Sequence, residues 1–284
     1  MSFFKRGIFK FFVILIIVVV GTILYGRYIG TIGLEVREYR VESEVLTENF
    51  SGLKVIHFSD LLYGSTVDID SVNEMVKRMN ILKPDLVLFT GDLVSEQYNI
   101  PDLEKEKLIE SLSKIDASIA KYAIYGDADY KIKTYEGIMS KSGFKVLDNG
   151  YDTIYYKDNS PLYIVGFPSS IKEKVNLDKG FEFYSDEDRH FTIVMLHEGK
   201  SIKYLDDSTY EVDLILGGHS LNGSVRLPFI GGILNPEDCY KYSNEHYEKG
   251  ITNIYISGGV GTGKNMFRLN NRPSFNLYRL KAQS

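Results

Sequence analysis

The sequence predicts an α/β fold: two mixed sheets sandwiched between helices in an α/β/β/α arrangement, behind one N-terminal transmembrane helix. Three observations predict it. Residues 11–24, FFVILIIVVVGTIL, carry no charge. From Leu53 onward, short apolar runs alternate with amphipathic stretches of helical spacing. The second half is richer in strands, and βαβ units followed by many strands suggest layered sheets rather than a bundle.

The N-terminal run stays uncharged from Phe11 to Gly26, with Lys5, Arg6 and Lys10 before it and Arg27 after it. At 1.5 Å per residue it spans about 24 Å, a little under a hydrocarbon core of about 30 Å. Lys10 and Arg27 can snorkel, and Tyr25 and Tyr28 suit an interface. A cleaved leader needs an A-x-A-like site, and GTILYGRYIGTIG offers none. The expected organisation is therefore a cytoplasmic N-terminus at 1–10, a membrane anchor at 11–29, a stalk or edge strand at 30–51, and a globular domain at 52–284. Three cations before the span place the N-terminus inside and the domain outside the cytoplasm.

The alternation in LEVREYRVESEV reads as an edge strand. LKVIHFS is a buried strand ending at Asp60. In VDIDSVNEMVKRMNILK, Val72, Met75, Val76 and Met79 share a helix face, with Asp70 or Ser71 as the N-cap. DLVLFT ends at Gly91-Asp92, LEKEKLIESLSKI is a charged amphipathic helix, and KYAIYG ends at Gly126-Asp127. YEGIMSKSG is a helix stopped by glycine. FKVLDN, DTIYYK, PLYIVGF, HFTIVMLH, EVDLILGGH and NIYISGG follow as strands.

Composition narrows the function. The chain has 284 residues, 33 Lys+Arg against 38 Asp+Glu, and a net charge of −5. Beyond the first ten residues it lacks the cationic footprint of a nucleic-acid binder. One cysteine, Cys239, excludes an intrachain disulfide framework and a multi-cysteine zinc site.

Asp60, Asp92, Asp127, His197 and His219 all stand where an apolar strand stops. Strand carboxyl ends form the ligand crevice of an open α/β sheet. Carboxylates clamping a divalent ion, with imidazoles completing its shell, suit Mn, Fe or Zn. Any one such Asp is usually a turn former, and any one His a packing residue. Five in succession are not.

In this order the residues resemble the calcineurin-like metallophosphoesterases, whose pattern reads D-x-H, G-D, G-N-H-D/E, H, then G-H-x-H. The counterparts are FSDLLYG at 58–64, FTGDLV at 89–94, IYGDADY at 124–130, VMLH at 194–197 and LGGHSLNGSVRLP at 216–228. The similarity runs from about Gly52 to the C-terminus and is strongest to the membrane-anchored bacterial branch. It implies a dinuclear metal centre, with departures. One metal position implies Asp60, the bridging Asp92 and two histidines, but those histidine positions hold Leu62 and Leu221. The other implies Asp92, Asp127, His197 and His219, with Asp127 replacing asparagine. The leaving-group acid position holds Ala128.

The expectation is one divalent ion on Asp92, Asp127, His197 and His219, no dinuclear centre, and Asp60 as a residual ligand of the lost position. No catalytic residue is assigned. The protein would bind a phosphorylated small molecule, lipid or cell-envelope ligand, or a protein partner of unknown kind, with weak or no hydrolysis. The alternatives are a phosphoesterase working with one ion and a structural protein with a relic site. GGVGTGK at 258–264 has phosphate-loop spacing but no helix pattern after it, so it reads as a turn. Arg226 and Arg268 could meet a phosphate, Tyr63 and Tyr130 could stack on a ligand, and Cys239 reads as structural.

Overall fold

The computed structural model describes residues 2–283 apart from 186, 234, 235 and 240. Residue 1 of the expected cytoplasmic segment and residue 284 of the expected domain therefore lie outside the described residues. In chain order the helices are α1 (Ser2–Tyr28), α2 (Ile69–Leu82), α3 (Asp102–Ser113), α4 (Tyr135–Lys141), α5 (Leu177–Gly180) and α6 (Ile202–Asp206). The first nine strands are β1 (Glu35–Ser43), β2 (Lys54–Phe58), β3 (Leu86–Phe89), β4 (Ala120–Ala123), β5 (Lys145–Val146), β6 (Gly150–Tyr155), β7 (Pro161–Gly166), β8 (Thr192–Met195) and β9 (Leu214–Gly217). The rest are β10 (Arg226–Leu227), β11 (Gly231–Gly232), β12 (His246–Lys249), β13 (Thr252–Ile256) and β14 (Ser274–Ala282).

They make two six-stranded mixed sheets, ordered β1-β14-β2-β3-β4-β5 and β12-β13-β9-β8-β7-β6, plus the small β10-β11 hairpin. Period-two alternation explains the layers. Val55, Leu86 and Leu88 point between the sheets, against Ile164, Ile193, Met195, Leu214 and Leu216. Their neighbours Ile56, Phe58, Val87 and Phe89 point the other way, under α2–α4. Val165, Val194 and Ile215 likewise carry the outer layer of the second sheet. Both faces of these strands are covered, which is why they read as continuous apolar runs. Phe89 is fully buried and its ring lies 4.6 Å from that of Phe58. Phe89→Ala is expected to cost about 3–5 kcal/mol in denaturant unfolding.

Two details differ from the sequence reading, and a third sharpens it. The N-cap of α2 is Asp68, whose side chain accepts from the Ser71 amide, because the helix begins at Ile69, ahead of the expected cap. The segment read as a stalk or edge strand is the edge strand of the first sheet: β1 pairs in parallel with β14 along its whole length, and Val41 and Phe50 are buried. β14, to which the sequence assigned no element, lies inside that sheet between β1 and β2. Its polar residues hid it, since Asn276 is fully buried with its amide on the Tyr278 hydroxyl.

His57 sits in the inter-sheet layer, fully buried, with Nε2 2.9 Å from the Thr90 hydroxyl. Burial pushes its pKa down to about 3. The unfolded chain takes up the proton near 6.5 and the folded one does not. This contribution to stability is complete above pH 6.5 and is lost as pH falls toward 3, at up to about 1.4 kcal/mol per pH unit. His57→Gln is expected to flatten the fall in unfolding temperature between pH 6.5 and 4.

The apolar stretch Arg6–Tyr28 is long enough to cross a membrane, and its large apolar side chains are exposed. The end of α1 is tied to the domain. The Arg27 guanidinium donates to the Met266 carbonyl (3.0 Å), the Arg268 amide donates to the Gly26 carbonyl (3.0 Å), and Gly26 lies against the Phe267 ring, where a Cβ would collide.

Candidate metal centre

The parallel strands β2, β3 and β4 of one sheet and β8 and β9 of the other end at a common edge of the sandwich. Asp60, Asp92, Asp127, His197 and His219 are the first carboxylate or imidazole side chains beyond those ends. Among the described residues, Asp92, Asp127, His197 and His219 form a group that could hold a metal ion, each offering a ligand atom within 4.8 Å of the others. His197 Nε2 lies 3.5 Å from Asp92 Oδ2 and 3.3 Å from Asp127 Oδ1, and His219 Nδ1 lies 3.2 Å from the same Asp127 oxygen.

Each member is oriented from behind. His197 is fully buried, with Nδ1 donating to the Thr90 carbonyl at 2.7 Å. That bond sets the tautomer and leaves the Nε2 lone pair facing the carboxylates. Asp92 Oδ1 accepts from the Ala128 amide at 2.9 Å, which leaves Oδ2 toward His197. His197 Nε2 and Asp127 Oδ1 are buried and have no hydrogen-bond partner. A tetrahedral ion with bonds of about 2.0–2.1 Å separates its ligand atoms by about 3.3 Å, close to the spacing seen here. Two carboxylates and two neutral imidazoles would also balance one divalent charge. The donor set fits the group.

The carboxylates favour positive charge at this spot. Burial opposes charge on His197, but Asp92 and Asp127 overcome it and hold the imidazole well above its ordinary pKa. His219 is raised in the same way, burial being outweighed chiefly by Asp127. Asp127 falls far below the usual carboxylate range because the two imidazoles outweigh its burial.

Asp60 stands outside this group. Its carboxylate accepts from the Ser59 hydroxyl and, at 3.0 Å, from the His219 amide, so it ties β2 to the His219 loop. Burial raises its pKa. Leu221 is buried beside it, since a Cβ on Gly259 would meet both Leu221 Cδ2 and Asp60 Cβ, and Leu62 is buried against Gly261. Asp60, Leu62, Asp92, His219 and Leu221 all have positive φ, between 47° and 63°. This conformation costs a non-glycine residue about 1–3 kcal/mol and persists where surroundings impose it. Here neighbouring loops do so: the Asp60 and Leu62 amides donate to the Gly91 and Asp92 carbonyls at 2.8 and 3.0 Å.

Sequence reasoning missed Asp129. It is fully buried, and its carboxylate accepts three backbone amides at 2.8 Å, from Asp92, Leu93 and Gly126. One side chain thus clamps the loops carrying Asp92 and Asp127. Burial, aided by the Asp92 charge, pushes its pKa up to about 8 against those three bonds. The signal was present, since the carboxylate closing the G-N-H-D/E pattern falls on this residue. Glu198 is a second buried support, accepting from Ser169 and Ser170 behind His197.

The remaining candidates take other roles. Arg268 is fully buried and donates to the carbonyls of Gly259 (3.1 Å), Gly261 and Asn271 (3.3 Å), so it holds the 258–271 loop rather than meeting a phosphate. Arg226 donates to the Asn222 carbonyl and the Asn244 side chain. The Tyr63 hydroxyl donates to Glu104 at 3.0 Å, and Tyr130 packs on Tyr125 with ring centres 5.2 Å apart. The loop after GGVGTGK continues to β14 without a helix among its described residues. Cys239 is a buried free thiol, raised to about 12 by burial.

Comparison with known proteins places this geometry. The family model described as calcineurin-like phosphoesterase matches residues 53–223. An uncharacterized metallophosphoesterase of Bacillus subtilis, YkuE, is 30% identical over 263 residues, covering 91% of this chain and 89% of its own. An uncharacterized metallophosphoesterase of Aquifex aeolicus is 28% identical, covering 92% and 98%. A transmembrane protein with metallophosphoesterase domain from Danio rerio is 22% identical over 90% of this chain and 59% of its own. The match spans the strand ends that carry the Asp/His group, and the chain belongs to the calcineurin-like phosphoesterase family.

Proposed function

We propose that this protein is a membrane-anchored family member with a degraded dinuclear centre. It holds one divalent ion, Mn, Fe or Zn, on Asp92, Asp127, His197 and His219, and binds a phosphorylated ligand with little or no hydrolysis. The observation that carries the reading is the convergence of His197 Nε2, His219 Nδ1 and the Asp92 and Asp127 carboxylates, with His197 Nε2 and Asp127 Oδ1 buried 3.3 Å apart. A positive charge, whether a proton on the imidazole or a metal ion, must sit between these atoms, since an unsatisfied buried polar group is costly. A bound ion would supply Lewis-acid charge for a phosphoryl oxygen. A second ion would need ligands where Leu62 and Leu221 offer none, beside an Asp60 already engaged by Ser59 and His219.

The acid position supports weak catalysis. Ala128 cannot move a proton, and loss of a positioned acid alone costs about 10²–10⁴-fold. The N-terminal apolar helix supports an anchor, with the cationic flank inside and the domain on the outer face. Elemental analysis of the full chain equilibrated with Mn²⁺, Fe²⁺ or Zn²⁺ tests the reading. One ion per chain, lost on Asp92→Ala, is expected. Two ions per chain, or none with any metal, would overturn it.

A further inference from the structure

A cavity of about 720 Å³ opens beside the Asp/His group, within the size range of small-molecule sites. One wall is His219, a member of the group, with Leu221 next to it. The others include Val225, Phe267 and Ile23. Ile23 lies inside the apolar stretch of α1, more than a turn before its end at Tyr28. A side chain at membrane depth and a proposed metal ligand thus line one space.

The hairpin beside it has the same character. Its base is joined to the segment that receives α1: the Arg226 amide donates to the Leu269 carbonyl and the Leu269 amide to the Ser224 carbonyl, both at 2.9 Å. Its turn exposes Phe229 and Ile230, and Ile233 follows, also exposed. Apolar side chains at a loop tip beside a membrane helix are suited to the headgroup–acyl boundary. Lys264, exposed between the lining residues Gly263 and Asn265, adds a cation near the cavity.

We infer that this cavity takes the proximal acyl chain of a phosphate-bearing membrane lipid, its phosphate turned toward His219. The inference rests on the metal-binding reading above and names its ligand class. A lipid chain moves from bilayer to apolar wall at little cost, whereas a small water-soluble phosphoester leaves that wall without a partner.

The test uses the full chain in detergent micelles with Mn²⁺, titrated separately with dioleoyl phosphatidic acid, dioleoylglycerol and glycerol 3-phosphate. Native mass spectrometry counts bound ligand and bound metal. One phosphatidic acid should be retained at a concentration at least about tenfold below that needed for glycerol 3-phosphate, the worth of roughly two methylenes taken from water. Dioleoylglycerol should not match it. Val225→Glu, which charges the wall, and Ile23→Trp, which fills the cavity, should each remove that advantage, with circular dichroism checking each fold. Retention of dioleoylglycerol equal to phosphatidic acid would mean contact around the helix only and would overturn the inference. So would equal binding of glycerol 3-phosphate, or a preference that survives both substitutions. Metal retained without an acyl preference leaves the metal reading standing alone. An acyl preference without bound metal does the reverse.

Discussion

Mn²⁺ or Zn²⁺ at a thousandfold excess over its dissociation constant will raise the unfolding temperature of the full chain by roughly 10 °C. An ion bound only by the folded state at that excess adds about 4.1 kcal/mol, and a domain of this size gains about 2–4 °C per kcal/mol. The effect should be this large because the four ligand atoms are already assembled by outer contacts. Thr90 aims His197, the Ala128 amide aims Asp92, and Asp129 clamps the two aspartate loops together. In Asp127→Ala the shift should vanish, since this oxygen faces both imidazoles, at 3.3 and 3.2 Å. The quantity compared is the shift with and without ion for each protein, which cancels any change in baseline stability. An unchanged melting curve with every ion tried would make the group a relic.

Hydrolysis of a generic phosphodiester by the native protein with Mn²⁺ should stay near background. Leu62→His, Leu221→His, Ala128→His and Asp127→Asn together should raise it about 10²–10⁴-fold, the range contributed by a positioned acid. The backbone favours this outcome. Leu62 and Leu221 hold left-handed conformations, at φ 47° and 52°, that their own side chains do not call for. The Leu62 amide on the Asp92 carbonyl and the Asn271 side-chain amide on the Leu221 carbonyl hold that geometry, so imidazoles placed there would take the buried positions of the isobutyl groups. A fast native rate abolished by Asp92→Ala would establish a working single-ion enzyme and remove the case for a degraded centre.

Much of this site was legible in one dimension because strand ends are legible. A buried strand is a short apolar run, and the first charged or imidazole residue after it must sit at the sheet edge. That rule finds Asp60, Asp92, Asp127, His197 and His219 without coordinates. It does not separate them, because the direction a carboxylate faces is set by donors far away in sequence. Asp60 turns to Ser59 and to the His219 amide, 159 positions on, whereas Asp92 is turned by Ala128. Arg268 fails in the same way: its side chain is consumed by carbonyls of its own loop.

The sequence by itself determined the layered α/β class, the apolar N-terminal helix and the presence of Leu62, Leu221 and Ala128, which offer neither a metal lone pair nor a proton. These follow from periodicity and from side-chain chemistry, which are local. Only the tertiary structure decided that β14 lies inside the first sheet, that Asp129 clamps the aspartate loops, and that Ile23 shares a cavity with His219. Strand order and buried polar contacts depend on which distant segments meet, and pairing free energy between segments leaves no periodic trace in either one.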